Sequence, residues 1–264
     1  MFSAADFASA MAASVLIPHR AVYEVSLKRV SEMDGVRGAH GTMAFSISDH
    51  CDGYTLEQTT ALDMAFASGV FNDIEQRYAS WESKDGRSST FRMEFVENGK
   101  LGRSHRGRIE LEEDGSGEIS IESDGTAKFE LPAGTMLSTT HMIALLEKAE
   151  EGSHFLSAPV IDGSFDDGAY RVSAVIGNKL PETEALSKQD NVHDVARGPY
   201  WPVSTAYFQY GSEEEEVPLR EVSFGLAAGG IVQSMTQEFV EYSLGYELVY
   251  AEPLEFAECP GDSR

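Results

Sequence analysis

The residues best equipped for chemistry are seven histidines, two cysteines and 44 carboxylates, and their spacing decides which reactions are open. The histidines stand at 19, 40, 50, 105, 141, 154 and 193, with no HxH or HExxH pair. His50 beside Cys51 offers two ligand types, but one adjacent pair falls short of the four groups that hold zinc. Asp162-Gly163-Ser164-Phe165-Asp166-Asp167-Gly168 begins like a calcium loop. It then fails, because Asp167 takes the place that needs glycine and Ser173 that of the bidentate glutamate. A turn between strands near Val160 and Tyr170 is the expectation instead. Glu213 to Glu216 reads as a solvated acidic loop, and His141 as a half-buried or surface histidine on a helix. Neither a metal nor a cofactor is expected.

Nucleophiles and phosphate loops fare no better. No GxSxG elbow occurs, and Ser116 sits in Asp114-Gly115-Ser116-Gly117, which reads as a hairpin turn. Gly35-Val36-Arg37-Gly38-Ala39-His40-Gly41 has neither the spacing nor the strand-to-helix setting of a dinucleotide fingerprint. Paired carboxylates for acid–base work are defined by separation and environment, so no pair can be chosen from 44 by sequence. No catalytic residue is therefore assigned. Tyr200, Trp201, Tyr207, Phe208 and Tyr210, with Tyr242, Tyr246 and Tyr250, could line a groove for an acyl chain or glycan. Their ordinary role is to pack the face of a large sheet.

The elements that would carry these residues are strands. Tyr23/Val25/Leu27, Met43/Phe45/Ile47, Leu62/Met64/Phe66, Phe91/Met93/Phe95 and Ile109/Leu111 all alternate with polar neighbours. The same period continues through Ile119/Ile121, Phe129/Leu131, Tyr170/Val172, Val222/Phe224/Leu226 and Leu244/Tyr246/Leu248/Tyr250. A period of two gives each strand one apolar and one wet face, as in antiparallel sheet. Asp34-Gly35, Asp52-Gly53, Asp85-Gly86, Asn98-Gly99, Asp114-Gly115 and Asp124-Gly125 fall between these runs and supply hairpin turns. A meander over about 20–132 follows. One stretch changes period: from Ser138 or Thr139 as N-cap, Met142, Ile143, Leu146 and Ala149 predict a helix over 138–150, stopped by Gly152. The polar segment 178–197 reads as a long surface loop.

A formal net charge of −24 disfavours nucleic acid, and no apolar run approaches the roughly 18 residues of a membrane-spanning helix. Residues 1–16 are rich in alanine and serine, lack a basic start, and are expected to be disordered. The fold class expected is all-β, a single antiparallel sheet domain over 17–260, with a two-lobed arrangement about the helix left open.

Two cysteines are too few for a disulfide framework. Cys51 and Cys259 read either as isolated small core residues or as an oxidised pair closing a loop of 208 residues. A family resemblance bears on that choice. Ile17-Pro18-His19-Arg20-Ala21-Val22-Tyr23-Glu24-Val25-Ser26-Leu27, Cys51-Asp52-Gly53-Tyr54, Leu131-Pro132-Ala133-Gly134-Thr135 and Cys259-Pro260 occur in that order. The set resembles the cell-envelope integrity protein B (EipB) family of alphaproteobacteria. The resemblance implies a spiral or broken-barrel sheet of about a dozen strands around a central helix. It also implies a disulfide between Cys51 and Cys259, and a periplasmic protein exported by a cleaved signal peptide. No such signal is visible, so the chain is expected to be a mature form. The implied role is envelope integrity under stress, without enzymatic activity, exerted as a binding or scaffold module. An envelope protein, peptide or lipid would be the partner. The alternatives are a lipid or lipoprotein carrier with an apolar concave face, an envelope hydrolase with a nonstandard site, or an interaction protein using strand edges or 178–197. No ligand-binding residue is assigned.

Overall fold

The structure is a computed structural model that describes residues 15–30, 35–163, 168–211 and 217–260. The expected turn at 164–167 and the acidic run at 213–216 lie outside those residues, as do residues 1–14 of the segment expected to be disordered. That segment was expected to reach residue 16. Leu16 instead is 3% exposed, because its apolar side chain packs between Gly230 and Leu146.

The meander expected over 20–132 is eight strands long. These are β1 (His19–Val30), β2 (Val36–Asp49), β3 (Gly53–Phe66), β4 (Phe71–Ser83), β5 (Ser88–Glu97), β6 (Lys100–Leu111), β7 (Gly117–Glu122) and β8 (Thr126–Leu131). A two-residue β9 (Met136–Leu137) runs into helix α1 (Ser138–Glu150). The second arm is β10 (Phe155–Ile161), β11 (Tyr170–Ile176), a one-turn α2 (Glu184–Ser187), β12 (Tyr200–Gln209), β13 (Arg220–Ala227), β14 (Val232–Glu238) and β15 (Tyr242–Pro253). All fifteen strands form one sheet, ordered β8-β7-β6-β5-β4-β3-β2-β1-β15-β14-β13-β12-β11-β10-β9. Every pairing is antiparallel except that of β9 with β10. Hairpin chemistry appears where the sequence placed it: Asn98 and Gly99 turn the β5–β6 corner with φ of 52° and 71°.

One face of the sheet is apolar along its length, and it is buried by curling. Phe91, Ile109, Ile119, Ile121 and Leu131 from β5–β8 pack against Leu137 and Ile161 from the far end of the sheet. Between these ends, α1 sits inside the coil. Its Leu145, Leu146 and Ala149 contact Ile47 and Tyr54 from one arm, and Ala174, Ile176, Trp201, Val203 and Leu226 from the other. The helix is the plug that lets two opposed sheet walls share one core.

The helix has the expected bounds but not the expected cap. Ser138 and Thr139 lie inside it, and the N-cap position is Leu137, which makes no side-chain cap bond. The buried Thr139 amide is met instead by Glu82 of β4. Its C-terminus stops as expected, where Gly152 at φ 73° donates its N–H to the Ala149 carbonyl at 3.2 Å.

Segment 178–197 is a strap rather than a surface loop. Leu186, Val192 and Ala196 are buried in the core beneath β14 and β15. Arg197 donates to the carbonyls of Leu186, Gln189 and Val192, and Gln233 donates to Ala196 at 2.9 Å and Gly198 at 3.0 Å. Two side chains thus tie the carbonyls of the strap together and to β14. Among the described residues no helix is long and apolar enough to cross a membrane.

Replacing the plug residue Leu146 by alanine should cost about 2–5 kcal/mol, the usual range for a buried leucine. Chemical denaturation with far-UV circular dichroism would measure it. A loss under about 1 kcal/mol would mean that α1 is not part of the shared core.

Candidate functional site

Three features carry the chemistry of the molecule: a disulfide clasp, a buried polar cluster at the start of α1, and an open trough on the outer face. The clasp joins Cys51, in the β2–β3 turn, to Cys259, in the tail after β15, with Cα atoms 5.4 Å apart and sulfurs 2.24 Å apart. His50 is paired with Thr55 Oγ1 at 2.9 Å, and no metal-binding cluster occurs among the described residues. Around the bond the tail is held by Asp49. One of its oxygens accepts from the Ala257 amide at 3.0 Å, and the other meets the Lys84 ammonium at 2.8 Å. Lys84 in turn lies 5.5 Å above the Tyr54 ring. Gly53 is needed here for space, since a Cβ would stand 2.5 Å from the Glu82 carbonyl oxygen.

The polar cluster is centred on Glu82, which is 1% exposed. Its Oε2 accepts the Thr139 amide at 2.8 Å and the Thr139 hydroxyl at 2.6 Å. A strand carboxylate thereby caps a helix 57 residues away in sequence. Burial pushes its pKa up to about 7, the Thr139 hydrogen bonds oppose that rise, and Asp162 adds to it. Tyr78 donates its hydroxyl to the Asp162 carbonyl and is itself pushed upward by burial. His141, expected to be half-buried or at the surface, is 7% exposed. Its Nε2 has no partner among the described residues, and burial lowers its pKa to about 4. Its position one turn into α1, beside Leu145, puts the ring in the core as a neutral imidazole.

The trough, of about 430 Å³, lies on the face opposite the core. Strand register lays two rungs across it. One runs Arg20, Ser46, Glu57, Ala79, Arg92, and the other Ala44, Thr59, Arg77, Glu94. Alanine, serine and threonine make a low floor between taller charged side chains. The first rung crosses five strands, about 19 Å at ordinary strand spacing, with a guanidinium at each end. Those end groups are paired with Glu252 at 2.9 Å and with Glu94.

The other candidate residues are dispersed. Trp201, Tyr207 and Tyr246 pack in three different core clusters, while Phe208 lies under Arg171, 4.3 Å away. Ser116 donates to Asp114 within its turn, as turn chemistry requires. Sequence reasoning missed Glu82 and the trough. Only the unusual glutamate in an otherwise inward-facing register could have signalled the first.

A sequence profile of the EipB-like family matches residues 10–255. The chain belongs to the EipB-like family. It is 30% identical over 253 residues to the cell envelope integrity protein EipB of Brucella abortus strain 2308, covering 93% of this chain and 87% of that protein. It also resembles a crystal structure of a β-barrel-like protein of a domain of unknown function from Brucella abortus. There the TM-score is 0.84 at 26% identity, over 92% of this chain and all of the other. The EipB-like fold is accordingly a single curled sheet around a helix. This chain has fifteen strands where the resemblance implied about a dozen, and β4, β9, β10, β12 and β14 are the ones that the alternation pattern did not name.

Two expectations follow for the clasp and the cluster. Cys51→Ser or Cys259→Ser should lower stability by about 2–5 kcal/mol while the far-UV circular dichroism stays strand-rich. Unchanged denaturation midpoints would count against the clasp as a stabiliser. The cluster should give opposed pH dependences. Glu82, with its folded pKa raised from 4.5 to about 7, binds its proton more tightly when folded, so its contribution is full below about 4.5 and lost as pH rises through 7. The fully buried shift corresponds to roughly 3 kcal/mol. His141, lowered from 6.5 to about 4, acts the other way and costs stability as pH falls through that window. Relative to wild type, Glu82→Gln should therefore gain stability between pH 5 and about 7.5. Parallel urea titrations at the two values would reveal it, and identical differences for the two proteins would sink the assignment.

Proposed function

We propose that this chain is a periplasmic, non-enzymatic protein that supports cell-envelope integrity as a binding scaffold. The observation that carries the reading is the disulfide clasp, within a family whose Brucella abortus relative is named for envelope integrity. A structural disulfide of this kind persists in an oxidising compartment, and the periplasm is one. Glu82 and His141, whose protonation burial perturbs, support a structural rather than a catalytic role because both are closed off from solvent.

The trough supports a polar occupant. Its guanidinium ends, central Glu57 and small-residue floor suit an extended segment of an envelope protein or peptide, which offers both charges and backbone hydrogen-bonding groups. A lipid or lipoprotein carrier would need an open apolar concavity, whereas the concave side here is occupied by Leu145 and Leu146 of α1, each 1% exposed. That occupancy weighs against the carrier reading.

A strain lacking the protein should regain detergent resistance when the chain is exported behind a cleavable leader, and not when it is kept in the cytosol. Equal rescue from the cytosol would overturn the periplasmic assignment. A photoreactive residue at Ala79 should crosslink a recurrent envelope protein, and crosslinking should weaken with Arg92→Glu. Recovery of lipid alone would favour the carrier instead.

A further inference from the structure

The two edges of the sheet are finished differently. The β10 edge contains Pro159, and β9 covers its last two residues, Val160 and Ile161. Proline and a covering strand are ordinary ways of blunting an edge. The other edge, β8, is Thr126-Ala127-Lys128-Phe129-Glu130-Leu131, with no proline and no bulge in its pairing with β7. Thr126, Ala127, Lys128 and Glu130 are exposed, and β8 has no second strand partner among the described residues.

Its outer face carries an unbalanced charge pattern. Register places Glu110, Glu118 and Glu130 side by side on β6, β7 and β8. Glu110 is paired with Arg108, and Glu118 with Lys128 at 2.5 Å. Glu130, at the edge, has no ion-pair partner among the described residues and a carboxylate directly across from it. The neighbouring row, Arg108, Ser120 and Lys128, ends at the same edge on a cation.

We propose that β8 pairs antiparallel with β8 of a second copy of this chain, about a two-fold axis at Phe129. Facing residues in antiparallel sheet must point to the same side, so allowed symmetric registers shift by whole residues of the axis position. An axis at Lys128 sets lysine against lysine, and one at Glu130 sets glutamate against glutamate. With the axis at Phe129, Lys128 of each copy faces Glu130 of the other, twice over, and the two phenylalanines meet on the inner face. This register extends the carboxylate row of one copy into the cation row of its mate and gives each Glu130 the partner it lacks. Opposite charges directly across a strand pair attract, and like charges repel. Six paired residues make a small interface, so the association is weak and concentration-dependent.

Sedimentation velocity at about 0.15 M salt, from low to high micromolar protein, tests this on the intact chain. The expected result is a species rising with concentration from 28.8 kDa toward twice that mass. Lys128→Glu alone and Glu130→Lys alone should each weaken it about tenfold or more. The double exchange, Lys128→Glu with Glu130→Lys, should restore it to within about threefold, since it rebuilds both pairs in reverse. Both sites are exposed, and thermal denaturation of each variant would confirm an intact fold. A 28.8 kDa monomer at every concentration would overturn the proposal, as would association indifferent to the single exchanges.

Discussion

Pairing of the first strand with the last makes one sheet out of two arms. β1 meets β15 from His19 opposite Pro253 to Val30 opposite Tyr242, at the middle of the strand order. Everything else extends from that seam. β2–β8 add outward on one side and β14–β9 on the other, so the seam is the hydrogen-bonded link between the two arms that the curl brings face to face. The interaction is non-local, so loop entropy opposes it, unlike the hairpin contacts on either side. The tail beyond β15 reinforces the seam: Leu254 donates to the Pro18 carbonyl at 2.8 Å, and Cys259 reaches the β2–β3 turn.

Once the seam exists, curvature poses a second problem, because a coil of this width leaves space along its axis. Helix α1 fills that space with apolar residues but brings unsatisfied amides at its start. That of Thr139 is buried away from solvent. Glu82 and Thr139 resolve the conflict with a single carboxylate oxygen, and Tyr78 joins the arrangement through the Asp162 carbonyl. The polar stretch of β4 thus exists because a helix terminus faces it.

Much of the architecture was legible because hairpin sheet is a local code. Alternation in Tyr23/Val25/Leu27 or Ile119/Ile121 names a face, and Asn98-Gly99 names a corner. Helix α1 was legible for the same reason, from its own spacing. What escaped depends on neighbours distant in sequence. β4 looked irregular because Gln76, Ser80 and Glu82 point inward, where alternation predicts apolar residues. β14 failed likewise at Gln233, which serves the strap. The strap spends one apolar side chain every four to six residues, too sparse for any period, and is held by Arg197 and Gln233 instead. The trough was invisible for another reason: Arg20, Ser46, Glu57, Ala79 and Arg92 look like any solvated face until register aligns them. The disulfide was not readable from spacing, since 208 intervening residues specify no geometry, and it rested on family resemblance.

The clasp also simplifies the chemistry of maturation. These 264 residues contain two cysteines and no others, so every intramolecular disulfide they can form is the native one. Thiol shuffling, which slows proteins with several bridges, has no wrong isomer to escape here. The reaction calls for an electron acceptor but not for an isomerase. Because Cys51 follows β2 and Cys259 follows β15, the bond closes the same long loop that the pairing of β1 with β15 closes, so each contact lowers the entropic cost of the other.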